Sequence, residues 1–254
     1  MRGLEKPSPP SNVSPEGQVP RAFSDAERQY AAALPDRTNK VRFARTAFDA
    51  LDKAKRREVM YAEQKSLCVY CERSLKEIDP AAHVEHWRPR SRAPEYALHW
   101  PNLYLSCSTE DTCGVRKDDR PLRADDADPD LPWPTQLDYE ELVGFTSGGE
   151  MYVRDDVHMD GATRRALGLA IDDDRQGGRR RRPAILNLNH PTLVAARRAA
   201  MDGERTRLGR GLGQGAISTE DRVARADSLL GRDLCPPFVS IRVSWLRRSL
   251  GRGR

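Results

Sequence analysis

Apolar residues in this chain fall into short periodic groups separated by long polar stretches. The first twenty residues, MRGLEKPSPPSNVSPEGQVP, have no apolar period and predict an irregular arm anchored at most by Leu4. Ser24-x-x-Glu27 before QYAAAL reads as a capping box that opens a helix, and Pro35 ends it. From Thr38 to Lys65, the residues Val41, Ala44, Phe48, Leu51, Val59 and Met60 recur at spacings near three, four and seven. That pattern predicts one long amphipathic helix with Lys53 to Arg57 on its wet side.

Between Leu67 and Lys117 the texture changes to short β-like runs. If His83-Val84-Glu85-His86 is a strand, alternation puts His83 and Glu85 on one face and Val84 and His86 on the other. Pro89 then breaks the ladder. Leu103 and Leu105, alternating with Tyr104, pin a second strand to the first, and Gly114–Asp119 opens a short helix. Residues 118–141 are acidic and proline-rich, a connector. LVGFT and EMYVR predict a hairpin turning at Gly148-Gly149, Asp160 caps a helix over Thr163–Leu169, and 172–182 reads as an exposed loop. Helices are predicted near 191–208 and 218–230, the second capped by Ser218-x-x-Asp221. From Cys235 to Arg254, five Arg and no acid interleave with Phe238, Val239, Ile241, Val243, Trp245 and Leu246. That segment is either a partner-facing surface or a loose end. The groups divide the chain into 1–66, 67–125, 126–185 and 186–254, an α+β organisation without internal repeats.

Composition narrows the classes. At 254 residues the chain has room for one large domain or two small ones, and with 38% hydrophobic residues, 32% charged and a mean hydropathy of −0.74 the core is modest. No stretch approaches the roughly 18 apolar residues of a membrane span, and the first twenty residues lack a signal-like apolar region. The expectation is a cytoplasmic protein, whose five cysteines are metal ligands or buried thiols and not disulfides. Lys and Arg number 43 against 38 Asp and Glu, and 36 of the 43 are Arg, whose guanidinium forks suit phosphate oxygens. A net charge of +5 permits a nucleic-acid partner without demanding one.

Candidate chemistry is concentrated between residues 67 and 117. Cys68-x-x-Cys71 and Cys107-x5-Cys113 are two pairs of the kind that grip a tetrahedral zinc ion from two knuckles. In a chain with so little apolar content a structural metal would supply missing folding energy. Between the pairs lie His83, Glu85, His86, Arg88, Pro89, Arg90 and Arg92, then Asn102. Arg88, Arg90 and Arg92 are either phosphate contacts or a solvated edge, as is the Arg179–Arg182 run. His99, His158 and His190 carry no assigned role.

The order of these residues resembles the HNH endonucleases, and most closely the HNH nucleases of Septu-type and retron-associated antiphage systems. The carriers are Cys68–Glu72 (CxYCE), Glu85–Ser91 (EHxxPxS), Trp100–Cys107 (WxNLxLSC) and Cys113–Lys117 (CGxxK), with weaker matches at Met1–Lys6 and Ile185–Asn189. The resemblance implies a ββα-metal core at 67–125, stapled by structural Zn²⁺ on Cys68, Cys71, Cys107 and Cys113. It implies Mg²⁺- or Mn²⁺-dependent hydrolysis of DNA phosphodiesters, with His86 as base, Glu85 as ligand of the catalytic cation and Asn102 orienting the base. Arg88, Arg90, Arg92 and Lys117 are the expected nucleic-acid contacts. A neighbouring ATPase of the defence system is the implied protein partner. One position departs from the pattern: the helix residue that should ligate the metal is Gly114. Asp118 and His83, with Asp111 and Asp119, are the candidates to replace it. Two other readings stay open: a non-catalytic zinc-knuckle module that binds nucleic acid or a partner, and an RNA-cleaving toxin on the same scaffold.

Overall fold

Helices and two small antiparallel hairpins alternate along the chain in a computed structural model that describes residues 21–75, 82–119, 142–154, 186–211, 217–232 and 235–247. In chain order these are α1 (Arg21–Ala33), α2 (Lys40–Asp49), α3 (Lys53–Glu63), β1 (His83–His86), β2 (Leu103–Ser106), α4 (Cys113–Asp119), β3 (Val143–Phe145), β4 (Met151–Val153), α5 (Pro191–Gly211), α6 (Thr219–Leu230) and α7 (Val239–Arg247). The N-terminal arm, the acidic connector, the Thr163–Leu169 helix, the Arg179–Arg182 run and residues 248–254 lie outside the described residues.

Three expectations for the N-terminal third are corrected. Helix α1 begins at Arg21, so Ser24 sits within its first turns and is not the cap. The long helix is two helices. Chain direction changes at Ala50-Leu51-Asp52, where the Asp52 carboxylate accepts from Ala54 N (2.9 Å) and restarts the helix as α3. Arg56 is not on the wet side: it is 2% exposed. Its guanidinium donates to the carbonyls of Phe48 (3.2 Å) and Leu51 (3.0 Å), with Nε on Asp52 O (3.0 Å), satisfying the carbonyls freed where α2 ends. The apolar stripe survives the break, since Ala44, Phe48 and Met60 are buried, but Val41 faces solvent.

The first hairpin is as the alternation predicts. β1 and β2 pair antiparallel with His83 opposite Ser106, Val84 opposite Leu105, Glu85 opposite Tyr104 and His86 opposite Leu103. Buried Gln64, just past α3, supplies part of a further edge: its Oε1 accepts from Leu105 N (2.6 Å) and its Nε2 donates to the carbonyls of Leu105 (2.9 Å) and Leu67 (2.8 Å). Trp100, Tyr70, Tyr104, Leu103 and Leu105 fill the main core around this hairpin.

The second hairpin, β3 and β4, also forms where predicted. Gly149 turns it at φ +94, and a Cβ there would fall 2.4 Å from the Val194 carbonyl, so glycine lets the turn lie on α5. Asn189 exchanges hydrogen bonds with the Met151 backbone (2.9 and 2.8 Å), fastening the same hairpin.

Helices α5, α6 and α7 converge on Glu204, which is fully buried. Arg225 of α6 meets it at 2.9 and 3.1 Å, and Arg242 of α7 at 2.6 Å. Ser218 and Asp221 form the expected capping box on α6. The C-terminal segment belongs to the folded body through Arg247: Val239, Ile241, Val243 and Leu246 are buried, and α7 docks on the Cys68–Cys71 turn. There the Glu72 carboxylate accepts from Ser240 N (2.9 Å) and from the Ser240 hydroxyl, and Phe238 N donates to Glu72 O (2.8 Å). Among the described residues, no helix is long and apolar enough to cross a membrane.

Candidate metal centre and adjoining polar site

The two cysteine pairs come together because each sits in a tight backbone reversal. Cys68 N donates to Arg73 O (2.9 Å) and Glu72 N to Cys68 O (3.1 Å), closing the first turn, with Glu72 at φ 60. Val69 N reaches Leu105 O (3.1 Å) and lays that turn against β2. Cys107 follows β2 directly. Cys113, at φ 54, is held by its N–H on Leu186 O (2.9 Å), which brings the Leu186–Asn189 segment into the site's support.

All four Sγ atoms lie within 4.8 Å of one another, and all four residues are buried. Cys71 and Cys107 sulfurs are 3.7 Å apart, against an edge of about 3.8 Å in a tetrahedron with metal–sulfur bonds of about 2.3 Å. The cysteines are free of disulfides. Hydrogen bonding from Cys113 draws the Cys107 thiol far below its ordinary range, while the same contact pushes Cys113 up. Four close cysteines of this geometry can hold a metal ion such as zinc, and among the described residues no other group of three or more His, Cys, Asp or Glu qualifies. Cys235 stands apart, buried among α6 and α7.

Beside this centre, β1 presents two different faces. On one face Glu85, 1% exposed, is met on Oε1 by Lys117 Nζ (2.6 Å) and the Tyr70 hydroxyl (3.0 Å), and on Oε2 by His83 Nε2 (3.3 Å). Burial by itself would raise the Glu85 pKa; the Lys117 ammonium and His83 outweigh it and bring the pKa to about 2. The carboxylate is therefore ionised at any working pH.

His86 leaves β1 on the other face. Its Nε2 lies 3.0 Å from Ala97 O, and because a carbonyl only accepts, Nε2 carries the proton and Nδ1 holds the lone pair. The ring stands edge-on to Phe48 with centroids 4.5 Å apart. Burial, then the nearby Arg90 guanidinium, lower its pKa to about 3, so the imidazole is neutral. β1 ends at His86.

Asn102 is buried, and its side chain closes the loop between the strands. Oδ1 accepts from Arg88 N (2.7 Å), and Nδ2 donates to the carbonyls of Arg88 (3.1 Å) and Tyr96 (2.9 Å). The residues after the His86 strand are thereby fixed. Arg88 is stacked over Tyr96 (5.6 Å) and Arg90 over Phe48 (4.9 Å), both half-buried, while Arg92 is exposed.

Lys117 is a correction. It was expected to meet nucleic acid, but it is 4% exposed, with its ammonium between Glu85 and the His86 carbonyl (3.0 Å). A buried lysine takes its counter-charge inside the protein, and here it braces β1 against α4. Asp111 is engaged by Arg116 and Asn187. Asp118 lies in the last turn of α4, and its side chain, like that of Asp119, is outside those described.

Sequence reasoning missed Tyr70, Phe48 and Gln64. Tyr70 had a local signal, lying inside the Cys68–Cys71 turn. Phe48 and Gln64 had none, because an apolar stripe and a helix end give no hint of which strand they will reach. Comparison of the chain with known protein families and with curated proteins gives no match. The geometry itself gives four close cysteines that could hold a metal ion, beside a cluster of Glu85, Lys117 and His83 between β1 and α4.

Proposed function

We propose that this chain is an HNH-type endonuclease: a ββα-metal core of β1, β2 and α4, stapled by zinc on the four cysteines, that hydrolyses DNA phosphodiester bonds with a divalent cation. The observation that carries this reading is the state of His86. It is a neutral imidazole at the end of a strand, its tautomer fixed by Ala97 O, its Nδ1 left as the acceptor. Such a group is unprotonated at neutral pH and has a lone pair to accept a proton, and an anionic phosphate beside it would restore the basicity that burial and Arg90 remove. Asn102 fixes the loop that follows and so holds the ring's partner, Ala97, in place through Tyr96. Ionised Glu85 would hold a hard divalent cation through Oε2, and such a cation would supply charge for the leaving oxygen. Arg92, with Arg88 and Arg90 behind it, is the side from which the phosphate backbone approaches. The matching motifs extend the proposal to antiphage defence beside an ATPase, with a 5′-phosphate as product.

The test is plasmid nicking with Mg²⁺ or Mn²⁺, comparing wild type with His86→Ala at equal zinc content, beside a digest of RNA. Relaxed or linear DNA from wild type alone supports the proposal; cutting of RNA alone makes the chain a ribonuclease on the same core. A second reading, a non-catalytic zinc-knuckle binding module, is favoured by one observation: His86 is 8% exposed and covered by Phe48. It predicts salt-sensitive DNA binding with no cleavage in either protein, also when the neighbouring ATPase is added.

A further inference from the structure

We infer that His83 is the second protein ligand of a divalent cation held on Glu85, and that residue 114 is glycine to make room for it. The inference deepens the nuclease reading and rests on it. Period-two alternation puts His83 and Glu85 on the same face of β1, with Nε2 3.3 Å from Oε2. Lys117 and Tyr70 both bond Oε1, so the two oxygens of Glu85 have different surroundings: Oε1 belongs to the protein's own framework and Oε2 is turned toward His83.

Opposite them stands the first turn of α4. A Cβ on Gly114 would lie 2.4 Å from Glu85 Oε2, 2.7 Å from His83 Nε2 and 3.0 Å from Ser106 Oγ. Three polar atoms from two strands therefore converge on the spot where the helix offers no side chain, and any residue but glycine would displace one of them. Two adjacent ligands each about 2.1 Å from a cation stand about 3.0 Å apart in an octahedron and about 3.4 Å in a tetrahedron. The observed 3.3 Å suits either with little movement. One imidazole nitrogen and one carboxylate oxygen make a donor pair for Mn²⁺ or Zn²⁺ more than for Mg²⁺. His83 is a third exposed while Glu85 is buried, so a cation enters past the imidazole and keeps open positions for water or phosphate oxygens. In this arrangement the nitrogen ligand comes from the strand, not from the helix.

The experiment uses the full chain with its cysteine centre filled by zinc, and Mn²⁺ as the probe. Titration followed by electron paramagnetic resonance is expected to show one bound Mn²⁺ with a coupled imidazole nitrogen. His83→Gln removes the coupling and weakens binding at least tenfold. Gly114→Ala, whose methyl fills the cradle, weakens it similarly with its zinc content unchanged. His83 is at the surface, so its variant folds even where the glycine variant does not. Wild type that binds no Mn²⁺, or binds it without nitrogen coupling, overturns the inference, as does unchanged affinity in His83→Gln. Cutting of DNA with Mn²⁺ affinity indifferent to His83 removes the ligand and leaves the nuclease. Nitrogen-coupled Mn²⁺ with no cutting of DNA or RNA removes the nuclease and leaves the cation site.

Discussion

Two polar centres hold this protein together, and they solve the same problem in opposite ways. At the cysteine centre four buried sulfurs from three chain segments have no cation among their own residues. At the Glu204 centre a single buried carboxylate has Arg225 and Arg242, and Arg207 at 3.2 Å, within its own three helices. The first would take its counter-charge from a bound metal ion, so its strength would depend on metal supply and competing chelators. The second carries its counter-charge in sequence and depends on pH. A chain with a modest apolar core uses both, and α7 touches each: Ser240 bonds Glu72 beside the cysteines and Arg242 meets Glu204.

The largest effect comes from breaking the first centre. Structural zinc binding is worth on the order of 10 kcal/mol. Cys71→Ser is expected to lose the metal and the cooperative unfolding transition, whereas Cys235→Ser keeps full zinc content by elemental analysis. Metal retained at full stoichiometry in Cys71→Ser would remove the centre from the comparison. Next comes Glu204→Gln, which leaves buried guanidinium groups without a counter-charge and costs about 3–5 kcal/mol in urea unfolding at saturating zinc. Its zinc content stays that of wild type, which separates the two centres.

Acid sharpens the same contrast. Burial alone would raise the Glu204 pKa, but Arg225 and then Arg242 hold it below the ordinary carboxylate value. The unfolded chain therefore takes up that proton first as pH falls, and stability present above about pH 4.3 is lost progressively below it. Glu204→Gln is expected to flatten this part of the stability curve; an unchanged slope would mean that the carboxylate does not carry it. Smaller again is Asn102→Ala, which leaves the Arg88 N–H and two carbonyls without their side-chain partner, at about 1–3 kcal/mol by thermal melting. Smallest is Arg92→Ala, expected to leave stability untouched and to reduce the salt slope of DNA binding by about 0.9, one phosphate's worth.

How much of this could be read in advance depends on where the partner of each residue lies. The cysteine pairs were legible because their spacing is itself a geometric constraint. The hairpins were legible because alternation and a turn are local. The break between α2 and α3 was not, since the apolar stripe continues across it; Asp52 caps the start of α3 and Arg56, folded inward, takes up the carbonyls at the end of α2. The burial of Lys117 was not legible either. Lysine is seldom buried without a paired charge, and the residue that makes it so, Glu85, sits on another element. The charged and apolar mixture of α7 fitted two readings equally until its docking site, Glu72, was known.

That docking site also orders the protein in time. Ser240 is 168 residues downstream of Glu72, so at about 5–20 residues per second a ribosome makes the cysteine turn on the order of ten seconds before the helix that closes over it. Cys113, the last of the four, is also made well before Ser240, so all four cysteines exist while the apolar face of α7 does not. The four cysteines and the Leu186 carbonyl that holds Cys113 are all made first; packing over the cysteine turn comes only with α7.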